Sequence, residues 1–447
     1  MNDRPETTRA WAPALALTAC FALAAAAIIF FGSTPERIRV DQNDYHLQAI
    51  RSFAQQWPRP DLHDYASATT PGYHLLMAGA SGVVGDGERP LRLASLLISL
   101  PLVGLMAHWC VRRAGRPGAA LMALPFACSP YVLASGAWLL PDNAAWLGVL
   151  GVLMFCWRGR VDGWFVAGGA LVLAVLVLTR QIHLWTAAPL LAAAWIGNGA
   201  SGDERPPLLS RIEFGLLLGE PRARVARAAA ALVAATPAVA LLAAFVSAWG
   251  GLVPPRFQTV LHGGNAATPA FVLSLLAIYG LALAPLLWDR LVELVRERPA
   301  VLLLALTAGA AVALVPATTY SVEDGRWTGL WQVAAQAPVI GGRTSVIILL
   351  LAPAGAVVAA LIASGLNLRE RWVWLAALAG FTLAQSANHA CWQRYVEPAL
   401  LMLVAMAGAR LLADVNRSGV HRRVATAAPV ALAVLLAAVA SRTLFGP

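Results

Sequence analysis

The sequence of 447 residues contains no lysine, and all 33 of its basic residues are arginine. Charged residues make up only 13% of the chain, whereas a soluble domain has about 25%. A chain that is also 59% hydrophobic would aggregate in water, so we expect the bilayer to be its main solvent. The net charge of +10 comes from arginines scattered through short loops, so no basic patch indicates a nucleic-acid partner.

Cysteine is scarce as well, and its five positions are far apart, without a CxxC pair. This spacing favours neither a disulfide framework nor a zinc site. The chain also lacks a P-loop, a GxGxxG motif after a strand and an HExxH motif, so nothing indicates ATP, dinucleotide or zincin chemistry. We therefore predict no metal and no cofactor, although Asp41, Asp44 and Asp64 leave a divalent ion open.

Long apolar runs recur along the whole chain and, because they do not alternate, they predict helices. A spanning helix needs about 20 mostly apolar residues, and on this basis we predict about 13 spans in a single all-α polytopic membrane domain covering 1–447. The run from 11 is too long for a signal-peptide core and is predicted to be a membrane anchor. The segment 73–84 is too short to cross and is predicted to lie at the interface. The predicted spans are 11–32, 91–111, 117–135, 143–157, 163–179, 182–197, 227–248, 268–288, 299–317, 344–364, 371–385, 396–413 and 425–442.

The arginines in the short loops predict the orientation, because basic loops stay in the cytoplasm. With the N-terminus inside, 33–90 becomes the first extracytoplasmic loop and 198–226 a cytoplasmic loop of an inner (plasma) membrane protein. The unusual polar clusters then fall almost entirely on the outer face. A transporter should instead spread its polar groups toward the midplane and both mouths. The distribution therefore favours an enzyme that works at the outer surface.

The first loop carries the best candidates for catalysis, in the stretch DQNDYH that begins at Asp41. Asp41 and Asp44 are three positions apart and would share one face of a helix. Either carboxylate could act as a general base on a sugar hydroxyl. His46 follows closely, and Asp64 lies in the same loop. The alternative is that acids beside a membrane helix only solvate the loop.

Several other polar residues fall at the predicted outer ends of spans. Asp142 and Asn143 are interpreted as a cap of the following helix. A guanidinium fork suits bidentate phosphate binding, so three outer arginines together indicate a site for a lipid phosphate. Each could instead be a snorkelling anchor, and Arg326 could form a weak local ion pair with Asp324. These arginines are Arg180 with the following Gln181, Arg326 with the nearby Asp324, and Arg394 with the following Tyr395.

An acidic loop after the first span, followed by a polytopic helical body, resembles the GT-C glycosyltransferases, which use polyprenyl-phosphate sugars. Within them, the order of short motifs is similar to that of the eukaryotic dolichyl-phosphate-glucose α-1,2-glucosyltransferase family. The sequence departs from that family where an adjacent Asp-Glu becomes Asp41 and Asp44, and where Gly-Asp becomes Pro254-Pro255. The similar segments are DQNDYHLQAIR at 41–51, Asp64 through Tyr73, Arg180-Gln181, Gly250 to Val253, Asp324 to Arg326, and Arg394-Tyr395.

This resemblance implies a GT-C-like fold and an inverting transfer from a polyprenyl-phosphate sugar donor to a lipid-linked or envelope glycan acceptor. Asp41 or Asp44 would take the acceptor proton. Arginines would stabilise the charge that grows on the leaving phosphate, where such stabilisation accelerates the reaction. Donor, acceptor and membrane lipid are the expected partners. The predicted substrate-binding residues are His46, Asp64, Thr70, Tyr73, His74, Arg180, Gln181, Arg256, Asp324, Arg326, Arg394 and Tyr395.

Two other functions remain open on the sequence alone. A flippase or transporter of lipid-linked glycans would need polar residues at mid-span on several helices, and the predicted spans consist mainly of Ala, Leu and Val. A ligase or polymerase of surface polysaccharide would share the outer face and the arginines, so the sequence separates it poorly.

Overall fold

The computed structural model describes residues 4–158, 160–197, 205–259, 263–415 and 419–445. These residues confirm the all-α prediction, and two short strands, Val339–Ile340 and Thr344–Ser345, pair antiparallel. A π-helix spans Asp41–His46, and a 3₁₀ helix spans Gln181–Thr186. The α-helices are α1 (Arg4–Phe31), α2 (Glu36–Val40), α3 (Leu47–Gln55), α4 (Gly72–Val84), α5 (Glu88–Ala114), α6 (Leu124–Ala127), α7 (Pro130–Ala137), α8 (Asp142–Trp157), α9 (Gly163–Thr179), α10 (Ala187–Ile196), α11 (Arg211–Leu218), α12 (Pro221–Trp249), α13 (Thr268–Gly280), α14 (Ala284–Glu297), α15 (Pro299–Leu314), α16 (Leu330–Ala334), α17 (Val346–Gly365), α18 (Leu368–Ser386), α19 (Gln393–Ala413) and α20 (Gly419–Phe445).

Each predicted span coincides with helix, but fewer segments than expected can cross a membrane by length and composition. Within the described ranges there are 7 such segments, or 8 if the pair Pro117–Ala127 and Pro130–Ala137, bent by 77°, counts as one span. The expected number of about 13 is not confirmed, because the predicted spans 143–157, 163–179, 182–197, 299–317 and 371–385 do not coincide with any of these segments. Two of them correspond to α8 and α9, which have 16 and 17 residues. At 1.5 Å per residue they rise about 24–26 Å, less than the ~30 Å hydrocarbon core. The chain is thus a multi-pass membrane protein with several short helices.

Two predicted loop segments contain helices. The predicted loop 198–226 holds α11 and the start of α12, while 198–204 lies outside the described residues. Ser210 begins α11 because its side chain accepts a hydrogen bond from the Glu213 N–H, and Pro221 suits the first turn of α12. The other segment forms α4, which at 13 residues is too short to cross, as predicted. Its position at the interface stays a prediction.

The centre of the bundle is α19, in which 94% of the apolar window is buried. Helices α5 and α13 pack against it, and nearly every residue from Val396 to Leu412 is buried. The start of α8, the end of α9, the end of α18 and the start of α19 meet at one end of the bundle, because Asp142, Arg180, Ala384 and Arg394 from these four helix ends line one cavity.

The first loop packs onto this same end through apolar contacts. Ile50 of α3, Tyr73 of α4 and Leu91 of α5 form a buried cluster with Leu139, which precedes α8. Gln42, in the π-helix, is fully buried. Its side-chain oxygen accepts from Arg92 Nε at 3.0 Å and from Leu139 N at 3.2 Å, so the loop is tied to two helices of the bundle.

Candidate functional site

A cavity of about 580 Å³ lies where these helix ends and the first loop meet. Its wall combines residues that are far apart in the sequence, from the π-helix, the start of α8, the end of α9, the end of α18 and the start of α19. Six of the predicted catalytic and substrate-binding residues line it, and so does Asp142, which was predicted to be a helix cap. The six are Asp41, His46, Arg180, Gln181, Arg394 and Tyr395.

A network of two carboxylates and two guanidiniums forms the polar part of the cavity. Arg394 binds Asp41 through Nη1 and donates from Nη2 to Asp142 Oδ2 at 2.8 Å. Arg180 pairs with the other oxygen of Asp142 through Nη1. Their formal charges cancel, which offsets the cost of burying them. Both guanidiniums also lie over the ring of Tyr395, with Cζ 5.1 Å from the centroid for Arg180 and 5.9 Å for Arg394.

Asp142 is the central residue of this network, and its interpretation as a helix cap is wrong. Pro141 occupies the cap position of α8, and no side chain makes a capping hydrogen bond there. Asp142 lies in the first turn, where the helix dipole favours a negative charge. Its side chain is only 7% exposed, and its two oxygens are taken up by the two arginines. The sequence signal for it was an acid after proline at the predicted outer end of a span, without a basic neighbour.

Asn143, assigned to the same cap, packs inward instead. Its side-chain nitrogen donates to Ser99 Oγ and to Val132 O, both at 2.9 Å. These bonds join α8 to α5 and α7, so Asn143 fixes the start of the helix that carries Asp142.

The π-helix decides which residues of the acidic stretch face the cavity. Its i→i+5 bonds place Asp41 and His46 one turn apart on one face, and both line the cavity. Asp44 is exposed and is not part of the lining, so the expectation that both acids share one face is wrong. That expectation assumed α-helical spacing, and π-bulges are common at functional sites.

His46 is backed by a second, fully buried histidine. His46 Nδ1 lies 2.9 Å from His74 Nε2, so one ring donates and the other accepts. Burial lowers the pKa of His74 to about 3. Burial, together with His74 and Arg394, holds the pKa of His46 well below its ordinary value. Both rings are therefore neutral near pH 7, and His74 orients His46 from behind the cavity wall.

Two more of the predicted substrate-binding residues, Thr70 and Tyr73, lie behind the cavity wall, and Gln181 connects the wall to its surroundings. Thr70 Oγ1 donates to Val177 O at 2.6 Å, and Tyr73 shares a 2.8 Å hydrogen bond with Ser95. Thr70 and Tyr73 are buried and do not line the cavity. Gln181 lines it, and its side-chain nitrogen donates to Ala68 O and Leu252 O, both at 2.9 Å. Gln181 thus ties two loops to the end of α9.

The structure places the remaining predicted residues outside the lining. Arg256 binds Asp64 at 3.1 and 3.3 Å in a half-exposed pair at the surface. Arg326 binds Asp324 at 2.8 Å and donates from Nε to Thr319 O. The expected meeting of Arg326 with the other two arginines therefore does not occur, because its guanidinium is used within its own loop.

The loop of Arg326 nevertheless supports the rim of the cavity. The Cys391 N–H donates to Gly325 O at 3.1 Å. Asn265 Nδ2 donates to Asp324 O at 2.7 Å and to His389 O at 2.9 Å. The rim segment 387–392, which precedes Arg394, is therefore held by backbone contacts to a neighbouring loop.

No group of three or more His, Cys, Asp or Glu side chains is arranged to hold a metal ion in the part of the chain that the structure describes. Of the acids considered for a divalent ion, Asp41 and Asp64 each pair with an arginine, and Asp44 is exposed.

No protein-family model matches the sequence, and neither does any curated protein. Among solved structures, the chain is similar to "Crystal Structure of ArnT from Cupriavidus metallidurans bound to Undecaprenyl phosphate", with 15% identity and a TM-score of 0.37. The match covers 93% of this chain and 77% of that chain. A TM-score of this size does not establish a shared fold, so the function is argued from the site itself.

Proposed function

We propose that this protein is an inverting glycosyltransferase that moves a sugar from a polyprenyl-phosphate donor to a lipid-linked or envelope glycan on the extracytoplasmic face. The observation that carries the proposal is the Asp41–Arg394–Asp142–Arg180 network at a cavity where helices end. It combines a candidate base with two phosphate-binding groups in one place.

Asp41 is the better base of the two carboxylates in the network. Its side chain is 32% exposed, and Arg394 occupies one oxygen, Oδ2. The other oxygen has no partner among the described residues and can accept the proton of a sugar hydroxyl. Asp142 has both oxygens occupied by arginines, so its role is to hold the two guanidiniums in place.

Arg180 is the better phosphate ligand of the two arginines. Its Nη1 pairs with Asp142, and its other N–H groups have no protein partner within the described ranges. Those N–H groups can donate to phosphate oxygens in the bidentate manner that a guanidinium favours. Arg394 lies next to the base and would stabilise charge from that side.

The apolar wall of the cavity suits a lipid-linked donor. Leu242 of α12 lines the cavity together with Leu252, Val253 and Phe257 of the following segment. Only 22% of the apolar window of α12 is buried, so this helix lies at the edge of the bundle, where it faces lipid. A polyprenyl chain could therefore lie along α12 while its phosphate reaches Arg180.

The reaction follows from this placement. Asp41 removes the proton from the acceptor hydroxyl, and the acceptor oxygen attacks the anomeric carbon of the donor sugar. The bond from that carbon to the phosphate oxygen breaks, and the lipid phosphate leaves with the electron pair. The arginines act where the leaving charge develops, which is where electrostatic stabilisation has most effect.

The proposal is tested in cells from which the gene has been deleted and to which either the Asp41→Asn or the Asp44→Asn variant is returned. The envelope glycans of these cells are compared by mass spectrometry. We expect Asp44→Asn to restore a sugar residue that Asp41→Asn leaves missing. If the Asp41→Asn variant restored the glycan fully, Asp41 could not be the base. Movement of a lipid-linked glycan across vesicles, without any new glycosidic product, would instead favour the flippase.

A further inference from the structure

Besides the apolar wall formed by Leu242, Leu252, Val253 and Phe257, the cavity has an aromatic wall. Trp392 and Tyr395 both line the cavity, and their rings are stacked with centroids 5.4 Å apart and planes 20° apart. Trp327 packs edge-on against Trp392 at 5.3 Å, and Arg37 lies 4.3 Å over Trp327. The row of rings thus runs from the arginines of the site to an exposed residue at the surface.

Contacts on both sides hold this aromatic wall rigid. Tyr395 stands in the first turns of α19, the most buried helix of the bundle. Next to Trp392, Cys391 donates its N–H to Gly325 O, and its carbonyl accepts from Trp331 Nε1 at 2.8 Å. A surface that is already ordered binds a ligand at a lower entropic cost.

We infer that the ring of Trp392, which Tyr395 supports from behind by stacking, is the platform on which the sugar ring of a saccharide acceptor lies. One face of a pyranose consists of C–H groups, which are apolar and carry partial positive charge. Such a face packs well on the electron-rich face of an aromatic ring. A polyprenyl chain needs only apolar contacts, which Leu242, Leu252 and Val253 supply.

The position of the platform agrees with this assignment. Arg394, which binds the proposed base Asp41, lies between Trp392 and Tyr395 in the sequence. The Arg394 guanidinium also lies 5.9 Å over the Tyr395 ring, and Asp41 and Trp392 line the same cavity, so a sugar ring on the platform would share the cavity with the proposed base. The inference rests on the proposed function, because it divides the same cavity into a donor side and an acceptor side.

The test compares Trp392→Leu, which removes the flat face, with Trp392→Phe, which keeps one. Trp164→Leu is the matched control, because Trp164 is 75% exposed on α9 and does not line the cavity. Full-length protein in lipid nanodiscs is given membrane-extracted glycolipid from cells lacking the protein as acceptor and the lipid fraction of wild-type cells as donor. Transfer is measured against acceptor concentration, and undecaprenyl phosphate binding is followed by native mass spectrometry.

We expect Trp392→Leu to raise the acceptor KM by about tenfold or more, while Trp392→Phe and Trp164→Leu stay within about threefold. Binding of undecaprenyl phosphate should remain within about twofold of wild type in all three variants. An unchanged acceptor KM in Trp392→Leu would overturn the inference. So would an equal loss of undecaprenyl phosphate binding, because the aromatic wall would then belong to the donor side.

Failure of the proposed function gives a different result, because wild-type protein would then transfer no sugar. In that case, retention of the extracted glycolipid by wild type and by Trp392→Leu is compared in native mass spectra. Equal retention by the two proteins would reject the platform independently of catalysis, and weaker retention by the variant would support it as a glycan-binding surface.

Discussion

The guanidinium of Arg394 donates to Asp142 at 2.8 Å, although 252 positions separate the two residues in the sequence. The same guanidinium binds Asp41, so one side chain connects the first loop to the α8–α9 pair. Because Arg180 binds the other oxygen of Asp142, the proposed base and the proposed phosphate ligands belong to one network. A substitution at any of the four residues is therefore expected to change the ion pairs of the others.

Replacing Asp41 with Asn should lower the transfer rate by about 10²–10⁴-fold, the usual contribution of a general base. An amide keeps the shape of the side chain but cannot take the acceptor proton. Arg394 retains Asp142 as a partner, so the fold should persist. Initial rates of sugar transfer in nanodiscs measure the effect. The control is Asp44→Asn, because Asp44 is exposed and does not line the cavity. Equal rates for the two variants would refute the assignment of Asp41 as the base.

Replacing Asp142 with Asn should abolish transfer and also destabilise the protein. Both arginines would lose a buried counter-charge, and breaking a buried pair costs about 3–5 kcal/mol. The midpoint of thermal unfolding in detergent checks this. The matched control is Asp64→Asn, whose half-exposed pair with Arg256 should contribute at most about 1 kcal/mol. Equal shifts for the two variants would contradict the central position of Asp142.

Replacing Arg180 with Lys keeps the positive charge but removes the fork that the proposed phosphate contact needs. We expect kcat to fall by about 10²–10³-fold, as for the loss of one donor to a developing negative charge. Steady-state transfer kinetics measure it. Arg256→Lys, at a surface pair outside the cavity, serves as control and should keep kcat within about twofold. An unchanged kcat for Arg180→Lys would show that a positive charge is enough at this position and would contradict a bidentate phosphate contact.

The His46–His74 pair predicts a loss of stability in acid. The folded-state pKa of His74 is about 3, below the ordinary value of 6.5. Between these pH values the unfolded chain binds a proton that the folded chain does not, so the free energy of unfolding falls as the pH decreases below 6.5. Unfolding midpoints between pH 7.5 and 4.5 should drop more steeply for wild type than for His74→Phe. Parallel curves would mean that the pair does not cause the loss.

Part of the site could be predicted because its signal was local. An acid just after a span and an arginine at the end of a span are visible as letters beside an apolar run. Asp41, Arg180 and Arg394 were singled out in this way, and the structure brings them together at one cavity. Their catalytic roles stay proposals.

Two of the errors share one cause, because the neighbours of a residue in the sequence do not reveal partners that are distant in the sequence. Arg326 has an ordinary local partner, Asp324, and that pair persists in the structure instead of joining the site. Asp142 has no such partner nearby and was taken for a cap, although its oxygens bind two arginines from other segments. Asp44 was misplaced for a different reason: the local sequence does not distinguish a π-helix from an α-helix, and the wider π-helical turn changes which side chains share a face.

The sequence by itself determined that this is a helical membrane protein, since apolar length and low charge are properties of the chain that need no tertiary contacts. Only the tertiary structure decided which polar residues form the site. Short helices α8 and α9 and the central α19 end at one level of the bundle, and ion pairs form between whatever charges those ends carry. The packing of the helices determines which of their ends lie together, and this packing depends on contacts between segments throughout the chain.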